Sequence, residues 1–373
     1  MHIAIVIGPF MPVPPVLGGA VEKVHMALAA AYRDAGHRVT MISRRYDGFA
    51  PDETVDGIRH IRVRSSERSR SLAINLVRGF LYSLHASAAL PSADITITNE
   101  FFLPLLLSRR RAGKIYVQVG RYPKHQIFLY FRADRLQAVS RAVGDAIIRQ
   151  APWLKHRVRV IPYALGDVYF QAPPVPRERI VLYVGRLARE KGIGLLIEAF
   201  LSLDPSLRDG WTLRIVGPHG IAQGGDGADY LAGLRQLAEP LGDCCEFAGP
   251  IFDEAVLARE YRKAAIFVYP SLAERGESFG LAPLEAMAGG CAAIVSDLRC
   301  FDDFIDEGVT GCRFDHRAPD AASNLAATLT RLMTGPDLLA TIAEGGSRAA
   351  AGFATAPIAA RMLADFATVI ADS

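Results

Sequence analysis

Short apolar runs alternate with amphipathic stretches along most of the chain. The apolar runs, which are typical of buried strands, lie at His2–Ile7, Arg38–Ser43, Arg59–Arg64, Asp94–Thr98, Lys114–Val119, Arg135–Val139, Arg157–Ile161, Ile180–Gly185, Leu213–Gly217, Cys244–Ala248, Ile266–Tyr269 and Ala292–Ser296. The stretches with helical spacing lie at Val21–Ala35, Ser71–Ala89, Pro104–Arg111, Arg141–Gln150, Asp253–Lys263 and Pro357–Ala371. Such an α/β alternation predicts parallel sheets that are covered by helices on both faces.

The length of the chain predicts two domains of ordinary size, because 373 residues, half of them apolar, exceed what a single core usually accommodates. A short, stiff, proline-rich segment at Gln171–Pro176 marks the boundary. We therefore expect an N-terminal domain at 1–168 and a second domain at 169–352.

The loop that follows the strand Ile266–Tyr269 is the most informative stretch of the sequence. It begins at Pro270 and leads into a helix whose start we place near Gly280, and Gly289 ends that helix. A loop in this position lies beyond the carboxyl end of a strand, where α/β folds bind ligands.

Two acidic residues, Glu277 and Glu285, flank the start of this helix. The backbone amides of Phe279, Gly280 and Leu281 lie between them and form an anion site. Carboxylates accept hydrogen bonds from hydroxyl groups. The order of acid, backbone amides and acid therefore matches the order of groups in a nucleotide-diphosphate sugar: sugar hydroxyls, diphosphate, ribose hydroxyls. The alternative is that both acids stabilise a solvated helix start, where the helix dipole favours them.

The segment E-S-F-G-L-A-P-L-E-A-M-A-G-G, Glu277–Gly290, resembles the E-x7-E signature of the retaining glycosyltransferases of family 4, which have the GT-B fold. The relatives in question build bacterial surface polysaccharide and lipopolysaccharide. The resemblance implies two Rossmann-like, doubly wound parallel-sheet domains that face each other across a cleft. The second domain would hold the donor, and the C-terminal segment 353–373 would be a helix that packs back on the first domain.

Two further segments resemble motifs of the same family. In IVLYVGRLAREKG, Arg186 and Lys191 would neutralise the diphosphate and the charge that grows on it in the transition state. In PFMPVPPVLGGAVEKV, Gly18 and Gly19 would allow a diphosphate or an acceptor to approach the backbone. The alternative for the first segment is a solvated loop, and the alternative for the second is an ordinary turn.

The roles implied by the resemblance are therefore as follows. The catalytic residues would be Arg186, Lys191 and Glu277. The donor would be bound by Gly18, Gly19, Arg186, Lys191, Glu277, Ser278, Phe279, Gly280, Leu281 and Glu285. The donor would be UDP- or GDP-linked and would serve as a substrate, with no cofactor and no metal.

The sequence departs from the family pattern at two places. Many relatives have a histidine just after the strand that here reads KIYVQVGRYPK, where this chain has Gln118–Arg121 and, further on, His125, which we do not consider catalytic. Tyr163-Ala164 replaces the usual Asn-Gly. Asn99 and Glu100 follow a strand and would serve either as an acceptor contact or as a loop cap.

Charge is distributed unevenly. The net charge is +3, but residues 1–170 carry +12 and the remainder carries −9. This asymmetry indicates an anionic partner for the first half, and because no nucleic-acid motif is present, we favour the inner face of a membrane or a lipid-diphosphate acceptor. A charge difference that merely helps the domains face each other is the alternative.

Two apolar segments adjoin arginines in this basic half, LAINLVRGFLYSLHASAAL and FFLPLLLSRRR. Each fits an interfacial helix or a helix packed on a sheet, and the sequence leaves both open.

MHIAIVIGPF enters a strand directly instead of resembling a signal peptide, and no segment is long and uncharged enough to span a bilayer. The five cysteines, Cys244, Cys245, Cys291, Cys300 and Cys312, lack disulfide or metal spacing, so we expect reduced thiols in a cytoplasmic protein.

The sequence thus predicts a retaining glycosyltransferase that moves a sugar to a hydroxyl of a glycan or lipid-linked glycan during cell-envelope or exopolysaccharide biosynthesis. It would be cytoplasmic and peripheral to the inner face of the membrane. The alternatives are a nucleotide-sugar epimerase, which would need no acceptor, and a non-catalytic membrane-associated scaffold.

Overall fold

The computed structural model describes residues 1–16, 19–171, 173 and 175–372. The chain forms two compact units, the first comprising Met1–Gly166 with Ala354–Ser373 and the second comprising Asp167–Phe353. Among the helices of the described residues, none combines the length and the apolarity needed to cross a bilayer.

The first unit is built on an eight-stranded sheet in the order β3-β4-β2-β1-β5-β6-β7-β8. Every neighbouring pair is parallel except β3 and β4, which are antiparallel at one edge. The strands are β1 His2–Val6, β2 Arg38–Arg44, β3 Asp52–Val55, β4 Ile58–Val63, β5 Ile95–Thr98, β6 Lys114–Val119, β7 Arg135–Ala138 and β8 Val158–Val160. Its first five helices are α1 Ala20–Asp34, α2 Leu72–Ala89, α3 Leu103–Leu106, α4 Arg109–Ala112 and α5 Arg141–Gln150.

The second unit is built on a six-stranded, wholly parallel sheet in the order β11-β10-β9-β12-β13-β14. The strands are β9 Glu178–Val184, β10 Thr212–Val216, β11 Cys245–Gly249, β12 Ala264–Tyr269, β13 Ala292–Ser296 and β14 Cys312–Phe314. Its helices are α6 Val168–Gln171, α7 Ile193–Leu201, α8 Pro205–Arg208, α9 Ala228–Ala238, α10 Glu254–Lys263, α11 Leu281–Ala288, α12 Ala321–Thr334 and α13 Pro336–Ala351. The last helix of the chain, α14 Thr355–Ala371, belongs to the first unit.

Three details differ from the sequence-based expectation. Strand β3 was not predicted, because the edge strand DETV has no buried residue and therefore no apolar pattern. Strand β14 was also missed, since it is only three residues long. The single helix predicted at Pro104–Arg111 is wrong: Leu107 has an extended backbone, with φ −68° and ψ 131°, and separates α3 from α4.

Helix α14 completes the core of the first unit. Its Phe366 ring packs edge-on against Tyr32 of α1, with centroids 5.7 Å apart, and against Tyr116 of β6, at 5.0 Å. Its Asp365 carboxylate accepts a hydrogen bond from the Tyr116 hydroxyl at 2.9 Å and pairs with the Arg135 guanidinium at 3.0 Å. Only 4% of the Arg135 side chain and 10% of the Asp365 side chain are exposed, so the ion pair lies in the interior.

We predict that Asp365→Ala lowers the free energy of unfolding by about 3–5 kcal/mol, because it leaves the Arg135 guanidinium buried without its partner. Asp34→Ala is the matched control: its carboxylate is 67% exposed and pairs with Arg33, so it should cost less than about 1 kcal/mol. Urea unfolding followed by circular dichroism measures both variants. Equal midpoints for the two variants would contradict the assignment.

Candidate active site

The candidate site lies where the strand order of the second sheet reverses. Strand β9 pairs with β10 on one side and with β12 on the other, while β12 continues to β13. The connections that leave β9 and β12 therefore diverge beyond the carboxyl edge of the sheet, and a ligand crevice forms at such a switch point. Arg186 and Lys191 follow β9, and Glu277 follows β12.

Lys191 and Glu277 form a buried ion pair, in which Lys191 Nζ donates to Glu277 Oε1. Lys191 is 6% exposed and Glu277 is 8% exposed. The Tyr269 hydroxyl donates to the same carboxylate oxygen at 3.2 Å, and Lys191 Nζ lies 5.4 Å from the centroid of the Tyr269 ring. The structure thus brings together two residues that the sequence analysis singled out, 86 positions apart, and adds Tyr269, which it did not.

Backbone contacts hold the turn that carries Lys191. Residues Arg189–Lys191 form a 3₁₀ turn, and the Leu272 amide donates to the Glu190 carbonyl at 2.8 Å. Gly192 follows with a left-handed φ of 68°, and a Cβ atom there would collide with the carbonyl oxygen of Pro270. Only glycine therefore allows the two loops to approach closely enough for the ion pair.

Burial, together with repulsion from the nearby Arg186 guanidinium, lowers the pKa of Lys191 to about 8. Lys191 therefore remains mostly protonated at neutral pH. A cation in such a poorly hydrated position interacts more strongly with an incoming anion than a solvated lysine would.

Arg186 is much more accessible than Lys191. Its side chain is 42% exposed, and its guanidinium pairs with Glu190 at 3.0 Å and donates to the Gly224 carbonyl. An exposed pair of this kind contributes about 0–1 kcal/mol. Arg186 can therefore exchange these contacts for a bound anion at little cost.

The start of helix α11 has no side-chain cap. Gly280 occupies the N-cap position with φ 86°, and a Cβ atom there would lie 2.5 Å from the Phe301 ring. Phe279 is buried, and its ring packs against Phe304 and Phe353, so only its backbone can reach a ligand. Leu281 is the first helical residue, and its amide belongs to the first turn, where backbone N–H groups lack intrahelical acceptors. Ser278 is half-buried in the preceding loop.

Glu285 is half-buried one turn inside α11, and tyrosine hydroxyls hold its carboxylate. The Tyr261 hydroxyl donates to Glu285 Oε2 at 2.8 Å, and Tyr169 also hydrogen-bonds to this carboxylate. The two tyrosine rings pack edge to face, with centroids 6.0 Å apart. Both tyrosines lie far from the glutamate in the chain, so the motif around Glu285 did not predict them.

One segment of the chain matches a known protein family. Residues 168–348 match the family described as "Glycosyl transferases group 1". The matched segment lies within the second unit. It contains every residue predicted to bind the donor except Gly18 and Gly19, which precede it in the chain.

Individual relatives are similar to part of the chain. A D-inositol 3-phosphate glycosyltransferase of Geodermatophilus obscurus is 37% identical over 158 residues, which cover 41% of this chain and 33% of that protein. A lipopolysaccharide 1,2-N-acetylglucosaminetransferase of Salmonella typhimurium is 33% identical over 132 residues, which cover 35% of this chain and 34% of that protein. The chain thus spans about a third of the length of these two relatives.

Solved structures extend the similarity to the whole fold. Sucrose-phosphate synthase from Thermosynechococcus elongatus superposes with a TM-score of 0.76 at 24% identity, covering 100% of both chains. HepE from Anabaena, solved in complex with UDP and glucose, superposes with a TM-score of 0.72 at 17% identity, covering 99% of this chain and 100% of that one. The predicted GT-B fold, with two Rossmann-like domains, is confirmed.

Outside the matched segment, the predicted glycine turn precedes α1. Gly18 lies outside the described residues, and Gly19 is the N-cap of α1 with φ 109°. The Glu22 carboxylate occupies the space that a Gly19 side chain would fill; it accepts a hydrogen bond from its own amide, and its burial raises its pKa. This acid, which the sequence analysis missed, makes the turn better suited to hydroxyl groups than to a phosphate.

A tyrosine stands beside the position where relatives have a histidine. A Cβ atom on Gly120 would collide with the Tyr163 hydroxyl, so this hydroxyl fills the space of the missing side chain. Arg121 is exposed and interacts electrostatically with Glu22 and with Tyr163. His125 is exposed and has a left-handed backbone, with φ 63°.

Glu100 is 5% exposed, and burial raises its pKa to about 7. Its carboxylate accepts hydrogen bonds from the amides of Phe101 and Phe102 and from the Ser83 hydroxyl at 3.4 Å. These contacts favour the loop-cap interpretation. Nearby, the buried Oδ1 of Asn99 has no hydrogen-bond donor among the described residues.

The described residues contain no group of three or more His, Cys, Asp or Glu side chains placed to bind a metal ion. All five cysteines are free, and Cys291, Cys300 and Cys312 are buried.

We predict that Gly192→Ala lowers the free energy of unfolding by more than about 2 kcal/mol, because it adds a collision with Pro270 to the strain of a left-handed alanine. Gly308→Ala is the control: its φ is similar, 73°, but no atom lies within 4 Å of the added Cβ, so only the strain of about 1 kcal/mol remains. Urea unfolding of both variants measures the difference. Equal losses would show that the approach of the two loops is not constrained at Gly192.

Proposed function

We propose that this chain is a retaining glycosyltransferase that moves a sugar from a UDP- or GDP-linked donor to a hydroxyl of a glycan or lipid-linked glycan, in the synthesis of the cell envelope or of exopolysaccharide. The observation that carries the proposal is the buried Lys191–Glu277 pair at the switch point of the sheet in the matched segment. The Salmonella relative, named for lipopolysaccharide, supports the envelope role, and the UDP and glucose of the HepE complex support the donor class.

In this proposal, Lys191 and Arg186 bind the diphosphate. Before the donor binds, Glu277 neutralises Lys191. The donor brings additional negative charge, which Lys191 contacts while it remains paired. Negative charge on the diphosphate grows as the glycosidic bond breaks, so both cations stabilise the transition state more than the ground state.

Glu277 positions the sugar. Lys191 and Tyr269 both donate to its Oε1 atom, so Oε2 is the oxygen that would accept a sugar hydroxyl. Because the carboxylate is buried and fixed by these donors, it holds a defined orientation. The amides of Gly280 and Leu281 at the uncapped start of α11 would receive the diphosphate. Glu285, oriented by Tyr261, would bind the ribose hydroxyls.

We infer that the transfer retains the anomeric configuration of the sugar, because the segment Glu277–Gly290 resembles the E-x7-E signature of retaining glycosyltransferases. The acceptor oxygen forms a bond to the anomeric carbon on the face from which the diphosphate leaves. The bond from that carbon to the phosphate oxygen breaks, and the acceptor proton passes to the leaving phosphate oxygen. This scheme needs no nucleophile from the protein.

The first unit would face the acceptor. Residues 1–170 carry a net charge of +12, which favours binding to an anionic surface. We therefore propose that the protein lies in the cytoplasm, bound peripherally to the inner face of the membrane. A lipid-linked acceptor would be presented at that face. The Glu22 carboxylate beside Gly19 would accept hydrogen bonds from its sugar hydroxyls.

The function is tested by measuring release of nucleoside diphosphate from UDP- and GDP-sugars, with and without lipid-linked glycan acceptors. We expect release that depends on acceptor and a product with the anomeric configuration of the donor, as determined by NMR. Isomerised sugar in the absence of acceptor would instead indicate an epimerase. If no nucleotide sugar raises the melting temperature, the result would contradict donor binding and favour a non-catalytic scaffold.

We predict that Lys191→Met lowers turnover at least 100-fold, because it removes the buried cation beside the leaving group. It should also destabilise the fold by about 3–5 kcal/mol, since Glu277 loses its partner in the interior. Lys191→Met combined with Glu277→Gln should recover most of that stability but none of the turnover. Thermal unfolding and steady-state kinetics measure the two effects separately. Turnover of Lys191→Met within fivefold of the unmodified protein would rule out the proposed role of Lys191.

A further inference from the structure

Helix α2 of the first unit exposes a large apolar surface, which we call the α2 outer face. Val77 is 60% exposed, Leu81 is 50% exposed and Ile74 is 45% exposed. The side chains that form this face are Ile74, Val77, Phe80, Leu81 and Leu84. Among the exposed residues of α2, His85 is the only polar one. Isolated exposed apolar side chains are common, but a contiguous set of this size marks an interaction site.

The side of α2 that packs on the protein is the less apolar one. Its buried residues are Gly79, Tyr82, Ser83 and Ala86, and the Tyr82 hydroxyl donates to the Ile7 carbonyl at 2.7 Å. At 3.6 residues per turn, these residues share one side of the helix, and the outer face lies on the opposite side. A helix that only covered a sheet would expose its polar residues. This observation favours the interfacial interpretation of this segment over a helix that only covers the sheet.

The apolar surface continues beyond α2. Phe80 packs edge-on against Phe102, with centroids 5.6 Å apart, and Phe102 packs against Phe101 at 4.7 Å. Phe101 in turn contacts Tyr130 at 6.4 Å, in a 3₁₀ turn at Ile127–Tyr130. In and just after that turn, Phe128 and Phe131 are each 58% exposed.

Arginines flank the α2 outer face at both ends. Arg68 and Arg70 precede the helix and are exposed. At the other end, the exposed Arg111 donates to the carbonyl of Ala88 at 3.3 Å, and Arg110 adjoins it. None of these four arginines forms an ion pair with a residue in the described part of the chain. They are therefore available to an anionic partner.

We propose that the α2 outer face docks onto an anionic phospholipid bilayer, with the apolar side chains in the interfacial region and the flanking arginines on the lipid phosphates. An apolar face with a cationic border is what such an interface binds. A second copy of the chain fits less well, because a two-fold contact through this face would bring the same arginines towards each other.

This proposal deepens the proposed function, since it names the surface through which the protein would reach a lipid-linked acceptor. Only the biological purpose of the docking rests on the proposed function. Vesicle binding itself requires no transferase activity, so the two proposals can fail independently.

The test is flotation of the full-length protein with phosphatidylcholine vesicles that contain or lack phosphatidylglycerol. We expect binding only to the anionic vesicles and weaker binding as the salt concentration rises. Val77→Glu combined with Leu81→Glu should weaken binding at least tenfold. The matched control, Ile221→Glu combined with Val309→Glu, changes exposed apolar residues of the second unit and should bind normally.

The role of the arginines is tested in the same assay. Arg68→Gln combined with Arg70→Gln should weaken binding about fivefold or more. Arg259→Gln combined with Arg348→Gln removes two exposed arginines of the second unit and should have no effect. Release of nucleoside diphosphate in the absence of vesicles should be the same for every one of these variants.

Three results would overturn the docking proposal. The first is that the unmodified protein does not float with anionic vesicles. The second is that Val77→Glu with Leu81→Glu floats as well as the unmodified protein. The third is a concentration-dependent dimer in analytical ultracentrifugation that this double variant abolishes, without any vesicle binding, which would assign the face to a second copy. Vesicle binding without any nucleoside diphosphate release would leave the docking proposal standing and refute the proposed function instead.

Discussion

A buried charge must be balanced where it lies, and this requirement determines the geometry of the second unit. Removing Lys191 and Glu277 from water costs several kcal/mol per ion unless the two side chains meet in good geometry. The hydrogen bond from Leu272 to Glu190 and the absence of a side chain at Gly192 bring the two loops to the necessary distance. The positions of the loops after β9 and β12 therefore depend on each other.

Tyrosines connect the acidic residues of the site to the core beneath it. Glu277 is bonded by Tyr269 and Glu285 by Tyr261. The Tyr269 ring in turn stacks with Tyr183 of β9, with centroids 6.1 Å apart and planes 10° from parallel. Each carboxylate is thus fixed by a side chain that is itself immobilised by packing, which is how a site keeps its geometry before a substrate arrives.

The fold was largely predictable because the strands of a parallel sheet are buried on both faces and therefore appear in the sequence as continuous apolar runs. The site was predictable only in part. Motif resemblance pointed to Lys191 and Glu277, but their direct pairing depends on strand order, which periodicity does not encode. Glu22 was missed because an acid in the first turn of a helix is unremarkable in sequence. The orientation of α2 was undecidable, since its packed side contains Gly79 and Ser83 while its leucines face outward.

The position of α14 has a consequence for the order in which the protein folds during synthesis. The chain leaves the first unit after Gly166 and returns at Ala354, next to Leu165, with which Ala354 forms a bridge. Until α14 emerges from the ribosome, Tyr32 and Tyr116 lack the Phe366 ring that covers them. The second unit, although it begins later, has all its strands and helices available first, so we expect the nascent first unit to depend on chaperones for longer.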